Sequence, residues 1–191
     1  MQSQSRSIKT VNEYFDNQGW KVYNKRVSIL DQNSVEYFSR SADQTRRIGL
    51  RLGALLIPGQ VICLSGELGS GKTTLVQGIA QGWGSTDPVT SPTFVLINEY
   101  HRPDGDMLFH LDAYRISSAF EGEDLDLDGM LSRGCLVIEW PENIKKILPS
   151  SVLIITMRWM AEEHRGLVMS ATGGEYRGIL DEIRKQVYGG Y

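Results

Sequence analysis

The stretch from Gly66 to Thr74 constrains the fold of this 191-residue chain more than any other. It reads Gly-Glu-Leu-Gly-Ser-Gly-Lys-Thr-Thr and matches the phosphate-binding pattern G-x-x-x-x-G-K-[ST]. A short apolar run precedes it in residues 60–65, and apolar residues at helical spacing follow it in residues 72–83. This order predicts a phosphate at the start of the helix, because backbone N–H groups and the helix dipole favour an anion there. The alternative is a glycine-rich turn before an ordinary helix.

Each residue type in this loop has its own predicted role. Glycine lets the backbone turn tightly and approach a phosphate closely. Lys72 supplies positive charge to the outer phosphates, and the Thr73 hydroxyl is a predicted Mg²⁺ ligand. Thr45, at the start of the preceding predicted helix, is a further candidate contact, with an exposed helical threonine as the alternative. The predicted nucleotide-binding residues are Glu67, Leu68, Gly69, Ser70, Gly71, Lys72, Thr73, Thr74 and Thr45.

Two carboxylates at the ends of strand-like runs are candidates for the metal side of the site. Glu139 ends the apolar run of residues 135–139, and an acid at the end of a buried parallel strand forms the second half of a nucleoside-triphosphate site. Asp112 lies at the end of a predicted strand and is a candidate for holding Mg²⁺ or its water. The alternatives are a surface glutamate and an aspartate that caps a turn.

The segment Thr90, Ser91, Pro92 and Thr93 is rich in hydroxyls and stiffened by its proline. One interpretation is a switch segment that becomes ordered on the γ-phosphate. The other is a plain loop, and the residues alone leave both open.

Composition limits the class of protein. A net charge of −3 and a pI of about 5.6 argue against a broad nucleic-acid surface, and so against DNA as a partner. The two cysteines lie in apolar runs, which predicts reduced thiols in a cytoplasmic protein. Since no apolar run reaches membrane-spanning length, we expect no membrane partner.

The pattern of elements predicts an α/β fold of the P-loop NTPase-like, three-layer type. Its sheet is expected to be mixed and mainly parallel, with helices on both faces. Residues 94–100 and 107–113 flank a turn and predict one antiparallel hairpin in that sheet. We expect residues 34–191 to form the nucleotide-binding domain and residues 1–33 to form an extension of unknown role.

Four motifs in this order and spacing resemble the TsaE (YjeE) family of small bacterial P-loop ATPases in the tRNA threonylcarbamoyladenosine pathway. The chain differs from the usual family pattern in its extra 33 N-terminal residues and in Ala113, where leucine is more usual. The motifs are Gly66-Glu-Leu-Gly-Ser-Gly-Lys-Thr-Thr74, Thr90-Ser-Pro-Thr-Phe94 with Asn98-Glu-Tyr100, His110-Leu-Asp-Ala-Tyr-Arg115 and Ile138-Glu-Trp-Pro-Glu142.

The resemblance implies a cytoplasmic enzyme that binds ATP and Mg²⁺ and docks on the TsaD–TsaB pair. Its ATP hydrolysis would support repeated transfer of a threonylcarbamoyl group to an adenosine beside the anticodon, with tRNA met through the complex. By matching positions, Lys72, Asp112 and Glu139 are the catalytic candidates, Thr73 and Glu139 the metal ligands, and Trp140 lies beside the site. Since no arginine finger or glutamine stands in an evident catalytic place, we expect weak hydrolysis that the partners raise.

Two other functions remain as alternatives. A small-molecule P-loop kinase usually carries an arginine-rich lid, for which Arg158 and Arg165 are few. A nucleotide-dependent regulatory switch that binds GTP carries an Asn/Thr-Lys-x-Asp motif, which Asn143-Ile-Lys-Lys146 does not match.

Overall fold

The chain forms two compact units, Met1–Leu30 and Asp31–Tyr191. The computed structural model describes residues 14–15, 21–22, 33–92, 96–116 and 125–188. In the first unit, strands β1 (Tyr14–Phe15) and β2 (Lys21–Val22) pair antiparallel. The expected boundary between residues 33 and 34 stays a prediction.

The second unit is built on a seven-stranded mixed sheet, which confirms the predicted α/β class. Its strand order is β3-β9-β8-β4-β7-β6-β5. The four strands β8, β4, β7 and β6 run parallel, while β3, β9 and β5 join through antiparallel pairs. The strands are β3 (Ser34–Ser39), β4 (Val61–Ser65), β5 (Ile97–His101), β6 (Met107–Asp112), β7 (Gly134–Glu139), β8 (Leu153–Ala161) and β9 (His164–Ala171).

Helices cover both faces of this sheet, as predicted. Successive residues of β4 point to opposite faces, so that Ile62 belongs to one apolar core and Cys63 to the other. The first core receives α1 (Ala42–Gly53), α2 (Lys72–Trp83) and α4 (Arg177–Tyr188). The second receives α3 (Leu127–Arg133) and the 3₁₀ segment Pro141–Ile147. No helix in the described ranges is both long and apolar enough to cross a bilayer.

Glycines let α1 and α2 approach each other closely. A Cβ at Gly78 of α2 would lie 2.0 Å from the carbonyl oxygen of Arg46, and one at Gly53 of α1 would lie 2.0 Å from that of Ile79. A side chain at either glycine would force α1 and α2 apart, because real Cβ atoms do not approach backbone so closely. The packing fixes α2, and with it the loop that begins this helix.

Candidate nucleotide-binding site

The predicted phosphate-binding loop joins β4 to α2 and has the backbone that the motif requires. Gly66, Gly69 and Gly71 have φ angles of 143°, 77° and 98°, a region that side-chain-bearing residues rarely adopt. A Cβ at Gly66 would also lie 2.3 Å from the carbonyl oxygen of Met157. Gly71 caps α2 and offers no side-chain acceptor to the first N–H groups of this helix. Those donors are therefore available to an anion.

Ser70 supports the fit of a polar ligand to this loop. The residue is fully buried, and its Oγ has no hydrogen-bond partner within the described part of the chain. A buried hydroxyl without a partner is unfavourable. Together with the uncapped N–H groups at the start of α2, this unpaired donor fits a loop that binds a nucleoside polyphosphate.

Lys72 lies at the centre of the loop. Its Nζ donates to the carbonyl oxygens of Gly66 at 2.9 Å and Glu67 at 3.1 Å, and lies 4.2 Å from the ring centroid of Trp140. Burial lowers the pKa of the Lys72 ammonium, and the nearby Glu139 carboxylate opposes this shift. The loop thus holds a positive charge that is poorly solvated and suited to an anionic ligand.

Glu139, at the end of β7, joins the loop helix to the sheet. The Thr73 hydroxyl donates to its Oε1 at 3.3 Å, and the Nε2 of His110 lies 3.0 Å from the same oxygen. Asp112 is the register partner of Glu139 on β6, so the two acids end neighbouring parallel strands. The structure therefore brings the predicted metal ligands, Thr73 and Glu139, and the catalytic candidate Asp112 to one end of the sheet.

Asp112 already has a local contact. Its Oδ1 accepts a hydrogen bond from the backbone N–H of Tyr114 at 2.9 Å, and it caps the short 3₁₀ turn Ala113–Arg115. The structure thus shows Asp112 as an aspartate that caps a turn, which is the alternative to a role in holding Mg²⁺ or its water. A role for Asp112 in holding water stays a prediction, which the half-buried position of this residue allows.

Trp140 follows Glu139 directly and lies beside the loop. It has a left-handed backbone, with φ 57° and ψ 50°, and is the one non-glycine residue with positive φ in the described ranges. Its ring packs under the Lys72 amine and against Tyr114, whose ring centroid is 5.1 Å away. Such backbone strain is concentrated at functional sites, where the surrounding packing maintains it.

The predicted switch segment contacts β5 through its backbone. The carbonyl oxygen of Thr90 accepts a hydrogen bond from Asn98 Nδ2 at 3.1 Å and lies 3.2 Å from the Tyr100 hydroxyl. Ser91 is exposed and Pro92 is buried. Thr93, the last residue of the predicted segment, lies outside the described residues, and switching itself stays a prediction.

Other predicted nucleotide contacts differ in how accessible they are. Leu68 is 91% exposed at the tip of the loop, Glu67 and Gly69 are exposed, and Thr74 is half-buried. Thr45 is buried, and its Oγ1 lies 2.8 Å from Ser39 Oγ and 3.3 Å from the carbonyl oxygen of Ser41. This hydroxyl therefore forms hydrogen bonds next to the start of α1, and its contact with nucleotide stays a prediction.

Arg165 is a neighbour of the loop that the sequence motifs do not reveal. Its Nη2 lies 3.5 Å from the carbonyl oxygen of Gly69, and a Cβ at Gly71 would lie 3.7 Å from its Nε. Arg158, the other arginine considered for a lid, is exposed. The pairing of β8 with β9 brings Arg165 to the loop from a distant part of the chain, so local sequence carries no indication of it.

The oxygen atoms of the site suit Mg²⁺. In the described ranges no three His, Cys, Asp or Glu side chains group as a metal cage. Mg²⁺ does not need such a cage, because it keeps several waters and takes one or two protein carboxylates together with substrate phosphates. The Thr73 hydroxyl and the Glu139 carboxylate match that ligand set.

Known proteins similar to this chain carry one recurring name. The family model described as "Threonylcarbamoyl adenosine biosynthesis protein TsaE" matches residues 39–167. A Bacillus subtilis protein named "tRNA threonylcarbamoyladenosine biosynthesis protein TsaE" is 37% identical over 145 residues, which are 75% of this chain and 89% of that protein. The Treponema pallidum protein of the same name is 38% identical over 134 residues, 69% of this chain and 97% of its own. The crystal structure of Bacillus subtilis YdiB superposes with a TM-score of 0.69 at 29% identity and covers 80% of this chain and 95% of YdiB.

Proposed function

Because the chain belongs to the TsaE family of threonylcarbamoyl adenosine biosynthesis proteins, we propose that it is a Mg²⁺-dependent ATPase that serves the threonylcarbamoyladenosine modification of tRNA. One observation carries the ATPase proposal. The glycine loop, the buried Lys72 amine and the Thr73–Glu139 pair meet at one end of the parallel strands. This is the arrangement that phosphoryl transfer from a nucleoside triphosphate requires.

The residues of the site divide into phosphate-binding and metal-binding groups. The loop N–H groups and Lys72 hold the β- and γ-phosphates of ATP, with the ammonium turning from the loop carbonyls towards the phosphate oxygens. Thr73 and Glu139 would hold Mg²⁺, which would neutralise charge on the phosphates. Asp112, beside Glu139 in the sheet, orients a water molecule at the open end of the site.

We further propose that the isolated chain hydrolyses ATP weakly and that TsaD and TsaB raise the rate. In the described part of the chain, neither Thr73 nor Glu139 forms a hydrogen bond with an arginine or glutamine, and Arg165 lies at the Gly69–Gly71 side of the loop. Such groups raise phosphoryl-transfer rates by orders of magnitude. The acidic balance of the chain supports the proposal that tRNA is met only through the complex with these proteins.

The test is phosphate release from Mg-ATP by the purified chain, alone and with its own TsaD and TsaB. We expect slow release alone and faster release with the pair, while Lys72→Met abolishes both. Equal rates with and without the pair would refute the partner-dependent mechanism. Transfer of the labelled γ-phosphate to a small molecule rather than to water would favour the kinase alternative.

A further inference from the structure

A row of hydrogen bonds, buried at His110 and Tyr100, connects the end of β7 with the segment before β5. His110 is 0% exposed, and its Nε2 lies 3.0 Å from Oε1 of Glu139. Its Nδ1 lies 3.2 Å from the hydroxyl of Tyr100, which is 2% exposed. That hydroxyl in turn lies 3.2 Å from the carbonyl oxygen of Thr90. Both nitrogens of one buried imidazole are therefore used, each towards a different part of the site.

The chemistry of Glu139 gives the first bond its direction. An ionised carboxylate oxygen only accepts hydrogen bonds, so Nε2 of His110 must donate. Oε1 then receives two donors, the imidazole N–H and the hydroxyl of Thr73. Within the described residues, Oε2 accepts no hydrogen bond. The carboxylate is thus anchored through one oxygen, and the other is left for a metal ion or its water.

The far end of the row holds the backbone of residues 89–90. The carbonyl oxygen of Thr90 accepts from Asn98 on β5 and lies 3.2 Å from the Tyr100 hydroxyl, whose one proton serves either this oxygen or Nδ1 of His110. The carbonyl oxygen of Val89 accepts from Gln77 of α2 at 3.4 Å. Side chains from a strand and from the loop helix therefore fix this short stretch. The contacts therefore form a continuous path from the Glu139 carboxylate through the imidazole and the Tyr100 hydroxyl to the Thr90 carbonyl.

We propose that His110 and Tyr100 are positioning residues that orient the Glu139 carboxylate and link it to residues 89–92. The proposal rests on the proposed function, because it gives Glu139 the Mg²⁺ of Mg-ATP. A merely structural role would require only that the space be filled and the buried polar atoms be paired. If His110 is a positioning residue, the loss of its Nε2 bond should affect Glu139, and the loss of its Nδ1 bond should affect Tyr100 and residues 89–92.

Two substitutions of His110 separate these sides. His110→Gln places an amide near the position of Nε2, so it keeps a donor for Glu139 and loses the bond to Tyr100. His110→Asn places its amide near the position of Nδ1, so it keeps the Tyr100 side and leaves Glu139 without its imidazole donor. We expect His110→Asn to lower kcat for Mg-ATP hydrolysis about 10- to 100-fold with KM nearly unchanged, as for other residues that orient metal ligands. His110→Gln should recover most of that loss.

Tyr100→Phe tests the other side without relying on turnover. Mg-ATP should slow the hydrogen exchange of the backbone at residues 89–91 in the wild-type chain. Tyr100→Phe should bind Mg-ATP and lose this response. Tyr176→Phe is the matched control, because it also removes one buried hydroxyl. That hydroxyl accepts a hydrogen bond from the N–H of Val61 at 2.7 Å and takes no part in this row. It should keep the response.

The outcomes separate this inference from the proposed function. Wild-type hydrolysis with an equally active His110→Asn would overturn the inference alone, as would an unchanged exchange response in Tyr100→Phe. A wild-type chain that binds no Mg-ATP would overturn both. If His110→Asn does not fold by circular dichroism, the exchange comparison of Tyr100→Phe with Tyr176→Phe decides.

Discussion

Replacing Lys72 with methionine should weaken nucleotide binding and leave the fold intact. The Lys72 amine donates to two loop carbonyls at 2.9 and 3.1 Å and lies 4.2 Å from the Trp140 ring centroid. Methionine keeps the length of the side chain and its contact with the ring, and it removes the charge and all N–H donors. A hydrogen bond to a charged group contributes about 1.5–3 kcal/mol. The Kd for ATP should therefore rise by about 10- to 150-fold.

The same substitution has a distinct effect on stability. Burial lowers the pKa of Lys72 from its ordinary 10.5, so the folded chain binds this proton less well than the unfolded chain. The resulting destabilisation is complete below the lowered pKa and disappears as the pH rises to 10.5. As the pH rises from the lowered pKa to 10.5, the free energy of unfolding of the wild type should therefore increase relative to that of Lys72→Met. Near neutral pH the variant should differ little in stability from the wild type, because water can replace the amine at the carbonyls of the exposed Glu67 and the half-buried Gly66.

Titration calorimetry with Mg-ATP measures the affinity, and urea unfolding from neutral pH to pH 10.5 measures the stability. Lys146→Met is the matched control, since Lys146 is exposed and lies in the 3₁₀ segment after β7. It should change neither quantity. An unchanged Kd in Lys72→Met would show that this amine does not meet the phosphates. A large loss of stability at neutral pH would show that it serves the loop rather than the ligand.

Three further outcomes follow from the same contacts. Glu139→Gln should lower Mg²⁺-dependent phosphate release more than about tenfold while ATP binding without Mg²⁺ persists, and normal release in a phosphate assay would contradict its metal role. Gly78→Ala should lower the free energy of unfolding by about 1–3 kcal/mol in urea, because its Cβ would lie 2.0 Å from a carbonyl oxygen of α1. Gly174→Ala, with no atom within 4 Å of the added Cβ, is its control. Burial raises the pKa of Cys63 and Cys135 to about 12, so mass spectrometry should find both unlabelled by iodoacetamide until the chain is unfolded.

The phosphate-binding loop shows how much of the site can be predicted from residues that are adjacent in the chain. Its glycines, Lys72 and Thr73 are adjacent in the chain, and their backbone geometry follows from short-range steric rules. The apolar run before Glu139 likewise predicted a buried parallel strand, and β7 is buried throughout. The family and the layered α/β fold were therefore accessible from motifs and periodicity, as were the residues proposed to bind phosphate and metal.

The contacts around Glu139 depend on strand register, which no local pattern specifies. His110 reaches Glu139 because β6 pairs with β7, and it reaches Tyr100 because β5 pairs with β6. Alternation along a strand places His110 on the same face as Asp112, but it carries no information on which strand lies opposite. In the same way, the spacing of Gly78 and Gly82 allows close helix packing without naming α1 as the partner. Chemistry confined to one turn of chain can be read from the order of residues, whereas chemistry shared between strands exists only once long-range pairing has brought them together.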